Sequence, residues 1–231
     1  MSGYDDVFEN NRKWVEQQTE DDPDFFEKLA EEQHPDFLFI GCADSRVPAS
    51  TIMGLEPGEV FVHRNVANLV VNTDSNGLSV LHYAVDHLQV DHIVVCGHYG
   101  CGGIQAAMQS RDLGGPLNGW LREIRDVYRR YKDELDAIDD EEARGRRLVE
   151  LNVAQQCRNL IKTAVVQRNY LERNAPRVHG WVYSLETGLL SDLEIPFEEL
   201  LDEIREVYRL TPEVDPSPKP VDKKAGISRD E

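Results

Sequence analysis

The sequence predicts an α/β fold, a central and mainly parallel sheet flanked by helices and preceded by an N-terminal helical arm. Three observations predict it. Short apolar runs alternate with stretches of helical periodicity through the middle of the chain, the order in which a βαβ architecture is written. The run His92-Ile93-Val94-Val95-Cys96 is almost continuously apolar, as a strand covered on both faces requires. Two separate helical patterns stand ahead of the first apolar run.

In chain order, the arm comprises Val7 to Val15 and Asp24 to Ala30, joined through Asp22-Pro23, and occupies residues 1–34. Phe37-Leu38-Phe39-Ile40 is the first strand and Val60-Phe61-Val62 the second. Leu78, Leu81, Ala84, Val85 and Leu88 recur at helical spacing before the third strand, His92 to Cys96. Gly102 to Gln109 follows as a helix, Gly114-Gly115-Pro116 breaks it, and Leu117 to Tyr131 is the next amphipathic stretch. One long helix is expected from about Glu141 to Arg173. Val178 to Leu185 reads as a fourth strand that turns through Glu186-Thr187-Gly188 into the short run Leu189 to Ile195, and Phe197 to Tyr208 closes the fold as a helix. Residues 1–210 are thus expected to form a single domain, and residues 211–231, with Pro212, Pro216, Pro218 and Pro220 among charges, a disordered tail.

Acidic residues outnumber basic ones 43 to 25, a formal charge of −18 at pH 7 that makes nucleic acid a poor partner. The surplus, spread over segments such as Asp133 to Glu142 and Glu198 to Glu206, suits solvated helix faces; adaptation to a salty cytoplasm is the sharper alternative. No basic-then-apolar leader opens the sequence, and no apolar run approaches the about 20 residues a membrane helix needs, so a cytoplasmic location is expected. In that reducing setting the four cysteines read as metal ligands or buried thiols.

Cys42, His98 and Cys101 offer one ion two thiolates and an imidazole. Cys42 follows the first strand and His98 the third, so a parallel sheet brings both to its carboxyl edge. His98 and Cys101 lie three apart in a glycine-rich turn that can aim both at one point. Soft donors of this kind favour zinc over magnesium or calcium, and three of them leave one tetrahedral position open, as catalytic sites do. The residues also leave open a zinc knuckle with Asp44 as permanent fourth ligand, or core cysteines without metal. Asp44 and Arg46, two apart in an extended segment, point the same way and can form a bidentate ion pair that leaves the fourth position free.

The segments Cys42-Ala43-Asp44-Ser45-Arg46-Val47-Pro48 and Gly97-His98-Tyr99-Gly100-Cys101-Gly102-Gly103 resemble the beta class of carbonic anhydrases, most closely its bacterial branch. The resemblance runs from about Val7 to Tyr208 and includes Gly54 to Glu59, Val62 to Asn68 and His179 to Tyr183. It implies one Zn²⁺ per chain on Cys42, His98 and Cys101, oriented by the Asp44–Arg46 dyad, and reversible hydration of carbon dioxide to bicarbonate and a proton through zinc-bound hydroxide. It further implies that Gln33 donates to a substrate oxygen, that Phe61, Val66 and Tyr83 line the pocket, that Gly102 offers a backbone N–H, and that the chain self-associates as a homodimer or homotetramer, with Tyr83 reaching across the interface.

The bacterial branch also implies a bicarbonate effector site at Arg64 and Tyr183, favouring a closed state in which Asp44 binds the zinc. Members with that behaviour carry Trp where this sequence has Phe39 and Glu where it has Ser50, so the indole donor is missing here. Two other readings share the ligands: a carbon disulfide or carbonyl sulfide hydrolase on the same fold, and a non-catalytic zinc scaffold. Cys96 and Cys157 are expected to be buried thiols. The remaining histidines, His34, His63, His82, His87, His92 and His179, lack a paired ligand motif and are assigned to packing or surface, with a proton shuttle possible among them.

Overall fold

The computed structural model describes residues 3–207. The tail expected at residues 211–231, and Tyr208 at the expected end of the last helix, lie outside the described residues. The order is α1 (Tyr4–Asp21), α2 (Phe25–Glu31), β1 (Phe37–Cys42), α3 (Ala49–Met53), β2 (Val60–Asn65), α4 (Ser75–His82), β3 (His92–His98), α5 (Gly102–Met108), α6 (Gly115–Trp120), α7 (Arg122–Arg130), α8 (Lys132–Asp136), α9 (Glu141–Ile161), α10 (Ala164–Arg173), β4 (Arg177–Tyr183), β5 (Leu190–Asp192) and α11 (Phe197–Val207). The described residues form one five-stranded sheet in the order β2-β1-β3-β4-β5, parallel except for the antiparallel β4–β5 pair. No helix among them is long and apolar enough to cross a membrane.

The strand alternation divides the core into two layers. Leu38, Ile40, Ile93 and Val95 face the larger one, which α9 covers together with α4, α5 and α7; Phe39, Val94 and Cys96 face a smaller one shared with Ala49 and Trp181. The residues named from β1 and β3 are all buried, which is why those runs read as continuously apolar. Because β1 connects onward to β2 on one side and pairs with β3 on the other, the chain direction reverses across the sheet at β1. The carboxyl ends of β1 and β3 therefore flank a switch point, where open α/β sheets hold ligands.

Three expectations are corrected. The long helix from Glu141 to Arg173 is two helices, because Thr163 leaves helical geometry (φ −76°, ψ 142°) and its hydroxyl donates to the Leu160 carbonyl at 2.7 Å. The apolar face runs on across this break, so periodicity alone concealed it. Leu117 to Tyr131 divides at Leu121, and Gly115-Pro116 starts α6 rather than only ending what precedes, as proline does in a first helical turn. Helix α3 carries too few residues for a periodic signal; Gly54, at φ 66°, closes it.

The arm is present as two helices, and Trp14 packs edge-on against Phe26 with ring centroids 5.5 Å apart. Neither arm helix contains a buried residue, and Tyr4, Val7 and Phe8 stand exposed.

Candidate metal centre

Cys42 ends β1 and His98 ends β3, adjacent strands in the sheet. Between His98 and Cys101, Gly100 adopts φ 69°, a left-handed step that folds the chain back and sets Cys101 at the head of α5. The Cys42 and Cys101 sulfurs lie 3.9 Å apart, and one donor atom from each of Cys42, His98 and Cys101 falls within 4.8 Å of the others. All three side chains are buried. The Tyr99 carbonyl accepts from His98 Nδ1 at 3.1 Å, which fixes the proton on Nδ1 and leaves Nε2 as a bare lone pair. That Nε2 is buried without a hydrogen-bond partner, beside two sulfurs. An orphaned imidazole nitrogen facing two thiols fits a soft divalent metal and fits little else.

The neighbouring Cys101 sulfur, aided by the backbone N–H groups of Asp44 and Ala67, lowers the Cys42 thiol, while the same contact raises Cys101. Thiolate is the form that binds metal, so one proton shared between these two sulfurs is readily given up to an ion.

Asp44 stands at the rim. Arg46 donates from Nε to Oδ1 at 2.9 Å and from Nη2 to Oδ2 at 2.7 Å, and the Arg46 backbone N–H donates to Oδ1 at 3.0 Å. These bonds hold the carboxyl well below the usual carboxylate range. Oδ2 nevertheless remains 3.7 Å from His98 Nε2. Arg64 donates to the backbone carbonyls on both sides of Ala43, from Nε to Cys42 at 2.9 Å and from Nη2 to Asp44 at 2.5 Å. The loop that carries the carboxylate is thus pinned by one arginine through its backbone and by another through its side chain.

The family model for carbonic anhydrase matches residues 37–190, which span every one of these groups. The chain belongs to the carbonic anhydrase family. A carbonic anhydrase of Emericella nidulans is 59% identical over 208 residues, covering 90% of this chain and 91% of that one. Solved beta-carbonic anhydrases place the chain in the beta class. One from the ascomycete Sordaria macrospora, described as tetrameric, is 40% identical with a TM-score of 0.80 over 83% of this chain and 96% of that one. One from Aspergillus fumigatus is 36% identical with a TM-score of 0.84 over 90% of this chain and 99% of that one.

Residues expected to line a carbonic anhydrase pocket are only partly gathered within one chain. Phe61 and Tyr83 pack with ring centroids 5.7 Å apart, yet Tyr83 is 46% exposed, and Val66 is 39% exposed. Gln33 is exposed in the segment between α2 and β1, and Gly102 is the first residue of α5. A cavity of about 640 Å³ opens beside Cys101 and Arg46, walled by Ile104, Met108, Val149 and Arg146, and none of the five expected pocket residues lines it. Tyr183 ends β4 in register with His98, and its carbonyl accepts from the Tyr99 N–H at 3.1 Å. Phe39 is fully buried in the smaller core layer, against which Tyr183 packs. Cys96 and Cys157 are buried free thiols, as expected, with Cys96 pushed up to about 12 by burial.

Proposed function

We propose that this chain catalyses the reversible hydration of carbon dioxide to bicarbonate and a proton, with one zinc ion held by Cys42, His98 and Cys101. The observation that carries this reading is the unpartnered His98 Nε2 facing two thiols, beside a carboxylate already held by Arg46. Zinc bound there supplies Lewis acidity that lets water ionise near neutral pH, as is established for carbonic anhydrases. Every other contribution is the chain's own. His98 Nδ1 keeps its proton on the Tyr99 carbonyl and so keeps Nε2 free for the ion. Asp44 Oδ2 accepts the hydrogen bond of the attacking water and turns a lone pair toward carbon; Arg46 keeps that carboxylate ionised and directed.

Carbon dioxide, small and apolar, calls for a greasy pocket, which we assign to Phe61, Val66 and Tyr83, with Gln33 and the Gly102 N–H as donors to its oxygens. The exposure of Val66 and Tyr83 supports a pocket completed by self-association, as a dimer or tetramer, at a surface that takes in the exposed Val62 of edge strand β2. A cytoplasmic setting, which keeps the thiols reduced, belongs to the same reading. So does an exchange in which Asp44 leaves Arg46 for the ion, for which its Oδ2 is already 3.7 Å from His98 Nε2. An effector bicarbonate at Arg64 and Tyr183 would share a guanidinium that already donates to two carbonyls, and Phe39 supplies no donor.

Stopped-flow carbon dioxide hydration on protein of known zinc content, at pH 7 and near pH 9, tests the proposal. Activity proportional to zinc is expected, rising with pH if Asp44 exchanges. No activity at either pH with one zinc bound per chain would overturn it.

A further inference from the structure

Behind the metal centre runs a turn, Asn65 to Val70, whose backbone is unusual. Ala67 and Asn68, consecutive and neither of them glycine, both sit in the left-handed region at φ 64° and 49°. A residue with a β-carbon pays for that conformation, and it persists only where the surroundings over-determine it.

The surroundings do so with side chains from distant elements. Trp120 Nε1 donates to the Val66 carbonyl at 2.8 Å, and Asn152 Nδ2 donates to the Ala67 carbonyl at 3.2 Å. Gln156 Oε1 accepts from the Val70 N–H at 2.8 Å, while Gln156 Nε2 donates back to Asn152 Oδ1 at 2.9 Å. Asn159 Nδ2 donates to the Val70 carbonyl at 3.0 Å, and Asn65 closes the turn on itself through both the N–H and the carbonyl of Leu69, each at 2.8 Å. Asn152 and Gln156 are each 1% exposed, polar side chains on the face of α9 that otherwise buries Leu148, Val149, Val153 and Leu160. Buried amides retained among apolar neighbours need a complete set of partners, and this pair finds them in the turn.

The turn meets the metal centre on two sides. Asn65, where the turn begins, pairs with Cys42 across the β1–β2 ladder, and its carbonyl accepts from the Ala43 N–H at 2.8 Å. A β-carbon at Gly103, beside Cys101 in α5, would lie 3.0 Å from both Ala67 Cβ and Val66 Cγ1, so the turn also sets how closely α5 approaches. We infer that Trp120, Asn152 and Gln156 are positioning residues for the metal ligands, acting through the left-handed turn that continues from the strand paired with Cys42 and seats α5. The inference rests on the reading of Cys42, His98 and Cys101 as a zinc site.

The test is zinc affinity, measured by competition with a chromophoric chelator, together with the thiolate-to-metal absorption of the cobalt(II) form. Asn152→Leu removes the donor to Ala67, and Trp120→Phe removes the milder bond to Val66. Cys157→Ala, a truncation buried on the same helix that bonds only toward the His179 carbonyl of β4, controls for general loosening. Asn152→Leu and Trp120→Phe should weaken zinc binding about 10- to 100-fold and shift the cobalt band, the range found when groups that support ligands are lost. Cys157→Ala should stay within about twofold on that scale. If Asn152→Leu does not fold, Trp120→Phe decides alone. Zinc bound by the turn variants as tightly as by the unaltered protein, or weakened equally by Cys157→Ala, overturns the inference and leaves the metal reading standing. An unaltered protein that takes up no zinc overturns both.

Discussion

Val153 on α9 fits a hollow between two glycines of neighbouring strands, and this makes Gly97→Ala a quantitative test of how closely α9 packs on the sheet. A β-carbon at Gly97 would lie 2.7 Å from Val153 Cγ2 and 3.1 Å from Val149 Cγ1; one at Gly180 would lie 3.0 Å from Val153 Cγ1 and 2.8 Å from Ile195 Cγ1. The backbone at Gly97 is not left-handed, so alanine meets only a steric objection. The closest contact falls roughly 0.7 Å inside ordinary van der Waals distance, and the obstructing methyl belongs to a fully buried side chain that cannot swing away. Overpacking of this kind costs about 1–3 kcal/mol, which for a chain of this length lowers Tm by about 2–4 °C per kcal/mol. Val153→Ala alone should cost about 2 kcal/mol, from two methyl groups at about 0.8 kcal/mol each plus the space left behind. In the double variant the new methyl fills part of that space and the closer contact is gone, leaving the one to Val149, so the two losses should fall short of adding by about 1–2 kcal/mol. Denaturant unfolding followed by circular dichroism, at one fixed protein concentration because family members assemble, measures all four proteins. Strict additivity within about 0.5 kcal/mol would refute the reasoning, since it would mean that the helix accommodates the methyl without pressing on Val153.

Asp44→Asn should lower carbon dioxide hydration on the order of 10²-fold while zinc remains bound; loss of the metal, seen by atomic absorption, would make Asp44 structural instead. Burial alone would raise the Asp86 carboxyl, but hydrogen bonds from Asn169 and Arg168, with His82 nearby, outweigh it and hold the group below its ordinary value. Its stabilisation is therefore present above the unfolded carboxylate pKa of about 3.9 and lost as pH falls through the lower folded value, so the Tm gap between the unaltered protein and Asp86→Asn should be steady above about pH 5 and narrow progressively as the pH falls below it. Cys96 and Cys157 are fully buried, with Cys96 raised to about 12, so iodoacetamide at pH 8 should leave both unmodified until the chain is unfolded, as mass spectrometry of digests would report.

Legibility followed the range of the interaction. The strands at Phe37 and His92 were readable because burial on both faces writes itself into every residue of a run, although β1 and β3 extend onward to the ligands themselves. The ligand set was readable because thiol and imidazole donors around Gly97, Gly100 and Gly102 are local chemical facts. Arg64 shows the opposite: nothing in its local sequence says that its guanidinium donates to the carbonyls of Cys42 and Asp44, 22 and 20 residues away. Asn152 and Gln156 carried a faint signal, amides spaced by four on an apolar helix face, but nothing in the chain names their partners 85 and 86 residues away.

By itself, then, the sequence determined the class of fold, the three metal-ligand candidates and the Asp44–Arg46 pair, all of which follow from residue chemistry and short spacings. Only the tertiary structure decided where the long helical stretch breaks, that His98 Nε2 is left without a partner, that the arm buries nothing of its own, and that a left-handed turn packs against α5 beside the ligands. These depend on which distant backbone groups must be satisfied once the core closes, and a linear pattern does not record that.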